Sequence, residues 1–129
     1  MGNRYLAYRV EPHFIGLARH DPGLFLPDEP PALALDDCWP SLQRLTMQGE
    51  DHRPSHRLFD AMRQDPWLRV LDPDEVERIA ADIVLLGEHD VRARFSEEQV
   101  ASVLDALGRT QHFLVDAARS GQGVVCLIG

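Results

Sequence analysis

The sequence predicts an α+β fold in which a small sheet contains the N- and C-terminal strands and packs against about five helices. Three observations support this prediction. Residues 3–10 alternate between two faces, residues 123–129 form an unbroken apolar run, and apolar residues between them recur at helical spacing behind helix-start signals.

The two terminal segments have different strand signals. In NRYLAYRV, residues 6, 8 and 10 face one way and residues 5, 7 and 9 the other, which is the period of a half-buried strand. The run GVVCLIG has no polar face, so we expect a strand buried on both faces. It is therefore placed inside the sheet, with the N-terminal strand as a neighbour.

The first half of the chain predicts three helices separated by turns. Glu11-Pro12 begins a short helix to about Arg19, and four prolines within residues 21–31 indicate an ordered loop. Asp36 or Asp37 is expected to cap a helix that buries its apolar side. The third helix is predicted over residues 54–64, with Leu58, Phe59 and Met62 inward, and residues 67–71 form an apolar connection or a short strand.

The second half has the stronger helix signals. Asp72-Pro73-Asp74-Glu75 predicts a helix start, with the helix running to Leu86 and stopping at Gly87. A short helical turn is predicted over residues 88–95. Ser96 then opens a capping box before the longest helix, of about 24 residues, in which Gly108 is the weak point.

Length and composition predict one domain over residues 1–129. With 44% apolar and 26% charged residues, the composition is that of an ordinary globular protein. No apolar run is long enough for a membrane span, and the N-terminal residues lack the pattern of a secretory signal. A soluble cytoplasmic protein without membrane association is therefore expected.

The charge balance bears on the class of partner. The formal charge is −8, and all 13 basic residues are arginine. Nucleic-acid binders present a basic face, so this balance argues against a nucleic-acid partner. A negative surface would suit a basic protein partner, although solubility alone also explains acidity.

Candidate catalytic and metal-binding groups have simpler structural explanations. His52 and His56 have the spacing of a helical metal pair, but Pro54 lies between them, so we predict no metal site and no cofactor. Cys38 and Cys126 are interpreted as buried thiols, and the sequence has no nucleophile-elbow motif. Most acid pairs sit where helix capping explains them.

The aromatic residue Trp39 has two interpretations. Tryptophan is common at binding hot spots, but Trp39 and Trp67 both lie in apolar register, which favours core packing. An interface role for Trp39 is the alternative.

Four stretches, taken in order, resemble the YfbM-like family of domains of unknown function. They are MGNRYLAYRV, LDDCWPSLQRL, LDPDEVERIAADIVLLGEHDVRARF and AARSGQGVVCLIG. The resemblance covers nearly the whole chain, and the third stretch is its most specific part. It implies no established catalytic activity. Small single-domain proteins similar to this family are suspected immunity proteins beside bacterial polymorphic toxins.

The chain departs from the family pattern in two places. Family members usually carry a histidine after the leucine of the Trp helix, where this chain has Gln43. They also usually carry a Tyr-Pro-containing insertion after the stretch that corresponds to RARF. No ligand-site role that rests on either feature is therefore carried over to this chain.

The resulting hypothesis is a non-enzymatic cytoplasmic immunity-type protein that blocks the active site of a cognate toxin, and the acidic charge balance is compatible with a basic one. The alternative is a small-molecule-binding domain or small hydrolase with a pocket near the Trp39 helix, using His13, His56 or Cys38. A homo-oligomer subunit is a third option. The candidate partner-binding residues of the first hypothesis are Asp36, Asp37, Trp39, Arg44, Glu50 and Asp51.

Overall fold

A four-stranded antiparallel sheet forms the centre of the computed structural model, which describes residues 4–21, 31–35, 38–47, 53–59 and 67–128. The strands in these ranges are β1 (Tyr5–Val10), β2 (Leu33–Leu35), β3 (Trp67–Leu71) and β4 (Gly123–Ile128). Their order across the sheet is β2-β1-β4-β3. The C-terminal strand is therefore internal and pairs with the N-terminal strand, as the sequence predicted.

The helices account for most of the remaining described chain. They are α1 (Ile15–His20), α2 (Trp39–Thr46), α3 (Pro73–Ile83), α4 (Glu88–Arg94) and α5 (Glu97–Arg119). Two 3-10 segments, Pro12–Phe14 and Pro54–Leu58, precede α1 and β3. The predicted α+β class is confirmed.

The register of the sheet separates two apolar clusters. Tyr5 pairs with Ile128 and Ala7 with Cys126, and these side chains join the main cluster with residues of α2 to α5. A smaller cluster on the other face contains Val10 of β1 together with two residues of α1. Helix α1 therefore covers one face, and the other helices cover the opposite face.

The helix-start signals of the second half are confirmed in detail. Asp72 is the N-cap of α3, and its Oδ1 accepts a hydrogen bond from the Glu75 backbone N–H at 2.9 Å. Ser96 and Gln99 form the predicted capping box of α5. These side chains bind backbone N–H groups that would otherwise lack helical partners.

Three predicted boundaries differ from the structure. Helix α3 ends at Ile83 rather than Leu86. The backbone N–H groups of residues 85 and 86 donate to carbonyls three residues earlier, as in a 3-10 turn, instead of four residues earlier. Residues 54–58 form a 3-10 segment rather than the start of an α-helix, and residues 60–64 lie outside the described ranges. The N-cap of α2 is Cys38, whereas Asp36 or Asp37 was predicted.

Strand β2 was not predicted. It has only three residues, and its pairing with β1 aligns Tyr5 with Leu35 and Ala7 with Leu33. A segment this short shows no detectable alternation, so only its tertiary partner makes it a strand.

Gly123, at the start of β4, provides a test of the packing between the two clusters. A Cβ built there would meet the Ile15 side chain and lie 2.6 Å from the Leu71 carbonyl oxygen. Backbone cannot move away as a flexible side chain can, so we expect Gly123→Ala to reduce the free energy of unfolding by about 1–3 kcal/mol. Urea unfolding followed by circular dichroism measures this change.

Gly108→Ala is the matched control for this substitution. A Cβ at Gly108 meets no atom within 4 Å, and the residue lies inside α5. Alanine should therefore raise the free energy of unfolding by about 0.5–1 kcal/mol. Equal stability changes for the two variants would contradict the close packing at Gly123.

Candidate functional site

The structure describes two of the six candidate partner-binding residues. Trp39 is half-buried and packs against the main apolar cluster, and Arg44 is exposed on the same helix. The Arg44 guanidinium carbon lies 5.1 Å from the centre of the Phe95 ring, a cation–π contact between α2 and the end of α4. The other four residues, Asp36, Asp37, Glu50 and Asp51, lie outside the described ranges.

The C-terminal end of α2 is anchored by side chains from distant segments. Arg94 Nη1 donates to the Arg44 carbonyl at 3.0 Å and to the Met47 carbonyl at 2.9 Å. A positive charge near these carbonyls offsets the negative end of the helix. Gln43 Nε2 donates to the Phe59 carbonyl at 2.7 Å, so this departure from the family pattern has a structural role here.

Asp82 on α3 is the centre of a partly buried polar cluster. Its Oδ1 accepts from Arg53 Nη2 at 2.8 Å, and its Oδ2 accepts from the Ser55 hydroxyl at 2.6 Å and the Ser55 backbone N–H at 3.1 Å. The Arg53 and Asp82 side chains are only 19% and 13% exposed. The carboxylate therefore fixes the start of the second 3-10 segment against α3.

This environment displaces the pKa of Asp82. Burial acts to raise the pKa, but hydrogen bonds from Ser55 and the Arg53 guanidinium outweigh it, so the pKa lies below its ordinary value. The same direction holds at Asp72, where the Glu75 backbone N–H is the main cause and Arg19 adds to it. Both carboxylates stay ionised at neutral pH and act as structural acceptors.

His56 lies in the buried interior beside Thr46. The Thr46 hydroxyl oxygen is 3.0 Å from the Leu42 carbonyl and 3.0 Å from His56 Nδ1. This pair links α2 to the second 3-10 segment.

Cys126 sits in the core next to Tyr5. Burial raises the pKa of the Cys126 thiol to about 11 and that of the Tyr5 hydroxyl well above its ordinary value. The Cys126 Sγ donates to the Arg69 carbonyl at 3.7 Å. A buried thiol that stays protonated is not a nucleophile at neutral pH.

The residues of the alternative hypothesis are not gathered into one site. His13 is exposed in the 3-10 segment before α1, where its ring contacts Phe14 at 4.2 Å between centroids. His56 is buried behind the opposite face of the sheet, and Cys38 is half-buried at the start of α2. Within the described ranges, no group of three or more His, Cys, Asp or Glu residues could hold a metal ion.

A pocket of about 590 Å³ lies between α5 and the β1–β2 side of the sheet. This volume is within the range of small-molecule sites. The described part of α2 contributes no lining residue, so this pocket is not the one proposed near Trp39. The lining residues are Arg9, Ala32, Leu33, Ala34, Leu104, Asp105, Gly108, Arg109, His112, Phe113 and Asp116.

Two side-chain pairs on α5 border the pocket. Arg109 Nε lies 3.0 Å from Asp105 Oδ2, and Arg109 Nη1 donates to the Ala34 carbonyl of β2 at 2.9 Å. One turn further, His112 Nε2 lies 3.2 Å from Asp116 Oδ2. Both pairs have i,i+4 spacing, and the Ala34 contact holds the short edge strand against α5.

Sequence reasoning did not identify this pocket. Its one local signal was Gly108, a residue that weakens a helix and that close packing does not require. Arg9 and the α5 residues are about a hundred positions apart, and only the strand order brings them together.

No helix of the described residues is both long and apolar enough to span a membrane.

The fold and these contacts define an α+β domain with a β2-β1-β4-β3 antiparallel sheet and helices on both faces. No protein-family model matches the sequence, and no curated protein matches it significantly. The structure is similar to that of YfbM from Escherichia coli, a protein of unknown function, with a TM-score of 0.67 over 98% of this chain and 99% of that chain. This similarity confirms the YfbM-like fold that the sequence resemblance implied. The sequence identity is 14%, so the similarity applies to the fold alone.

The Asp82 cluster predicts a pH-dependent contribution to stability. Asp82→Asn removes the carboxylate and leaves the Arg53 charge without its partner, so we expect the free energy of unfolding at pH 7 to fall by about 2 kcal/mol. The difference between wild type and variant should be complete above the unfolded aspartate pKa of about 3.9 and should be lost as pH falls below that value and through the lower pKa of Asp82 in the folded chain. The sign follows because the unfolded chain binds more protons in that window.

Asp105→Asn is the control for this experiment. Its ion pair with Arg109 is exposed, with side-chain exposures of 68% and 49%, so its loss should change stability by less than about 0.5 kcal/mol. Urea unfolding at several pH values compares the three proteins. A difference between wild type and Asp82→Asn that does not change below pH 5 would refute the assigned role of the carboxylate.

Proposed function

We propose that this chain is a non-enzymatic, cytoplasmic protein-binding domain of the immunity type, which neutralises a basic bacterial toxin by covering its active site. The observation that carries the proposal is that two acidic stretches of the sequence, residues 36–37 and 60–66, join paired strands at the same end of the sheet. The resemblance to YfbM-like proteins suggests the toxin as the partner.

The negative charge is concentrated in four short stretches of the sequence. Residues 22–30, 36–37, 48–52 and 60–66 hold eight acids and one arginine, so they carry seven of the eight net negative charges. The other residues hold thirteen acids and twelve arginines, so together they are close to neutral. All eight acids fall within residues 22–66: Asp28, Glu29, Asp36, Asp37, Glu50, Asp51, Asp60 and Asp65.

Two of these acidic segments join the framework at the same end of the sheet. Residues 36–37 follow Leu35, and residues 60–66 precede Trp67. Leu35, Tyr5, Ile128 and Trp67 are paired in one row across the four strands. Acidic residues therefore follow β2 and precede β3 in the sequence at the same end of the sheet. A basic surface would be attracted to that end.

Helix α2 lies directly after the first of these segments. It carries the exposed Arg44 guanidinium, held over Phe95, and the half-buried Trp39. Arginine and tryptophan are the residues most often found as interface anchors, and an interface of standard size buries roughly 1,600 Å² in total. The proposed partner-binding residues are therefore Trp39 and Arg44 of α2, together with the acids that precede and follow this helix in the sequence, Asp36, Asp37, Glu50 and Asp51.

The displaced pKa values support a non-enzymatic role. Such values often mark catalytic groups, but each displaced pKa among the described residues has a structural explanation. Asp72 caps α3, Asp82 holds the second 3-10 segment, and Tyr5 and Cys126 lie in the core. The exposed Arg92 has its pKa raised by its hydrogen bond to Glu88 on the same helix.

The proposal is tested by co-expressing the chain with the product of its neighbouring reading frame. We expect a stoichiometric complex at low salt that protects cells from the toxin. The double variant Asp36→Lys with Asp37→Lys should weaken this complex at least about tenfold, because it places like charges against a basic surface. Affinity is measured by calorimetry at two salt concentrations, and protection by growth.

Glu77→Lys with Glu98→Lys is the matched control. Both glutamates are exposed on α3 and α5, and the pair changes the net charge by the same amount. We expect less than about a threefold change in affinity for it. An equal loss in both variants would show that only overall charge matters, and no complex at either salt would remove the proposal.

The alternative of a small-molecule-binding domain or small hydrolase near the Trp39 helix stays a prediction. Its three polar residues, His13, His56 and Cys38, lie on different sides of the sheet or in the core, as described above. We therefore place the protein-binding function first.

A further inference from the structure

We propose that the pocket between α5 and strands β1 and β2 binds a small organic carboxylate with an apolar body. This site lies apart from α2 and is independent of the protein-binding function proposed above. The inference rests on the shape of the pocket, the pairing of its charges and the position of Gly108.

The pocket has a built apolar side. Phe113 and Leu33 are buried residues whose surfaces line it, and Leu104 is half-buried beside them. Its volume of about 590 Å³ can accommodate a small molecule, and its apolar lining favours an apolar ligand body.

Gly108 widens this space. A Cβ at this position would meet no atom within 4 Å, so core packing does not require glycine there. Glycine is nevertheless the poorest helix former apart from proline, and it occupies the interior of the longest helix. Its missing side chain leaves room that any larger residue would take from a ligand.

One arginine of the pocket has no side-chain partner among the described residues. Arg109 is paired with Asp105, and His112 with Asp116. The Arg9 guanidinium forms no hydrogen bond or ion pair with any residue of the described ranges. It is therefore available to a ligand.

A monoanionic carboxylate fits this arrangement best. The planar guanidinium presents two parallel N–H donors that match the two oxygens of a carboxylate. A phosphate monoester would bring nearly two negative charges close to Asp105 and Asp116, which line the same pocket. One unpaired arginine does not balance that charge.

The test uses 4-phenylbutyrate as the probe and its neutral amide, 4-phenylbutyramide, as the matched compound. Amide-resolved NMR titration should show shifts at residues 33–34 and 108–113, with a dissociation constant of about 0.1–1 mM. The amide should bind at least about tenfold more weakly, and inorganic phosphate should cause no comparable shifts.

Two variants separate recognition from folding. Arg9→Gln should weaken 4-phenylbutyrate at least about tenfold, whereas Arg119→Gln, an exposed arginine at the end of α5, should not. Gly108→Leu should abolish binding while keeping or raising the unfolding midpoint, because leucine favours the helix and fills the open space.

The proposal fails if any of three results is obtained. These are no saturable shifts with up to about 10 mM probe, equal binding of the acid and the amide, or an Arg9→Gln variant with wild-type affinity. Phosphate binding that exceeds carboxylate binding would also overturn it. None of these outcomes depends on a toxin partner.

Discussion

The rest of the structure depends on the placement of β4 between β1 and β3. Its side chains enter both apolar clusters, with Val124, Cys126 and Ile128 in the larger and Val125 in the smaller. The register joins Tyr5 to Ile128, so the sheet closes a loop of nearly the whole chain. The entropy cost of that closure is offset by apolar burial on both faces, which explains why β4 contains no charged residue.

Helix α5 is the second organising element because it meets both β2 and β4 across the larger cluster. Its contact with β2 is incomplete, since that strand has three residues and Gly108 presents no side chain. Arg109 bridges the gap by donating to the Ala34 carbonyl. The pocket is therefore a consequence of a long helix that lies over a short edge strand and is held to it by one polar contact.

The sequence predicted the elements whose signals are local. The caps at Asp72 and Ser96 and the alternation of β1 depend on neighbouring residues only. The 3-10 form of Pro54–Leu58 was missed because a hydrogen bond from Ser55 to Asp82, 27 residues away, fixes it. The pocket was missed for the same reason, because Arg9 and α5 are brought together only by the strand order. Of the six predicted partner-binding residues, the structure describes Trp39 and Arg44.

A fold shared at 14% identity leaves the function to particular side chains. Here the two proposals rest on different side chains. The protein-binding face is proposed from Trp39 and Arg44 of α2, whereas the ligand site is proposed from Arg9 and the residues of α5 that line the pocket. The two adjoin at β2, because Ala34 lines the pocket and the chain continues from Leu35 toward α2. The same framework therefore supports two proposed surfaces on neighbouring elements, and each depends on its own set of side chains.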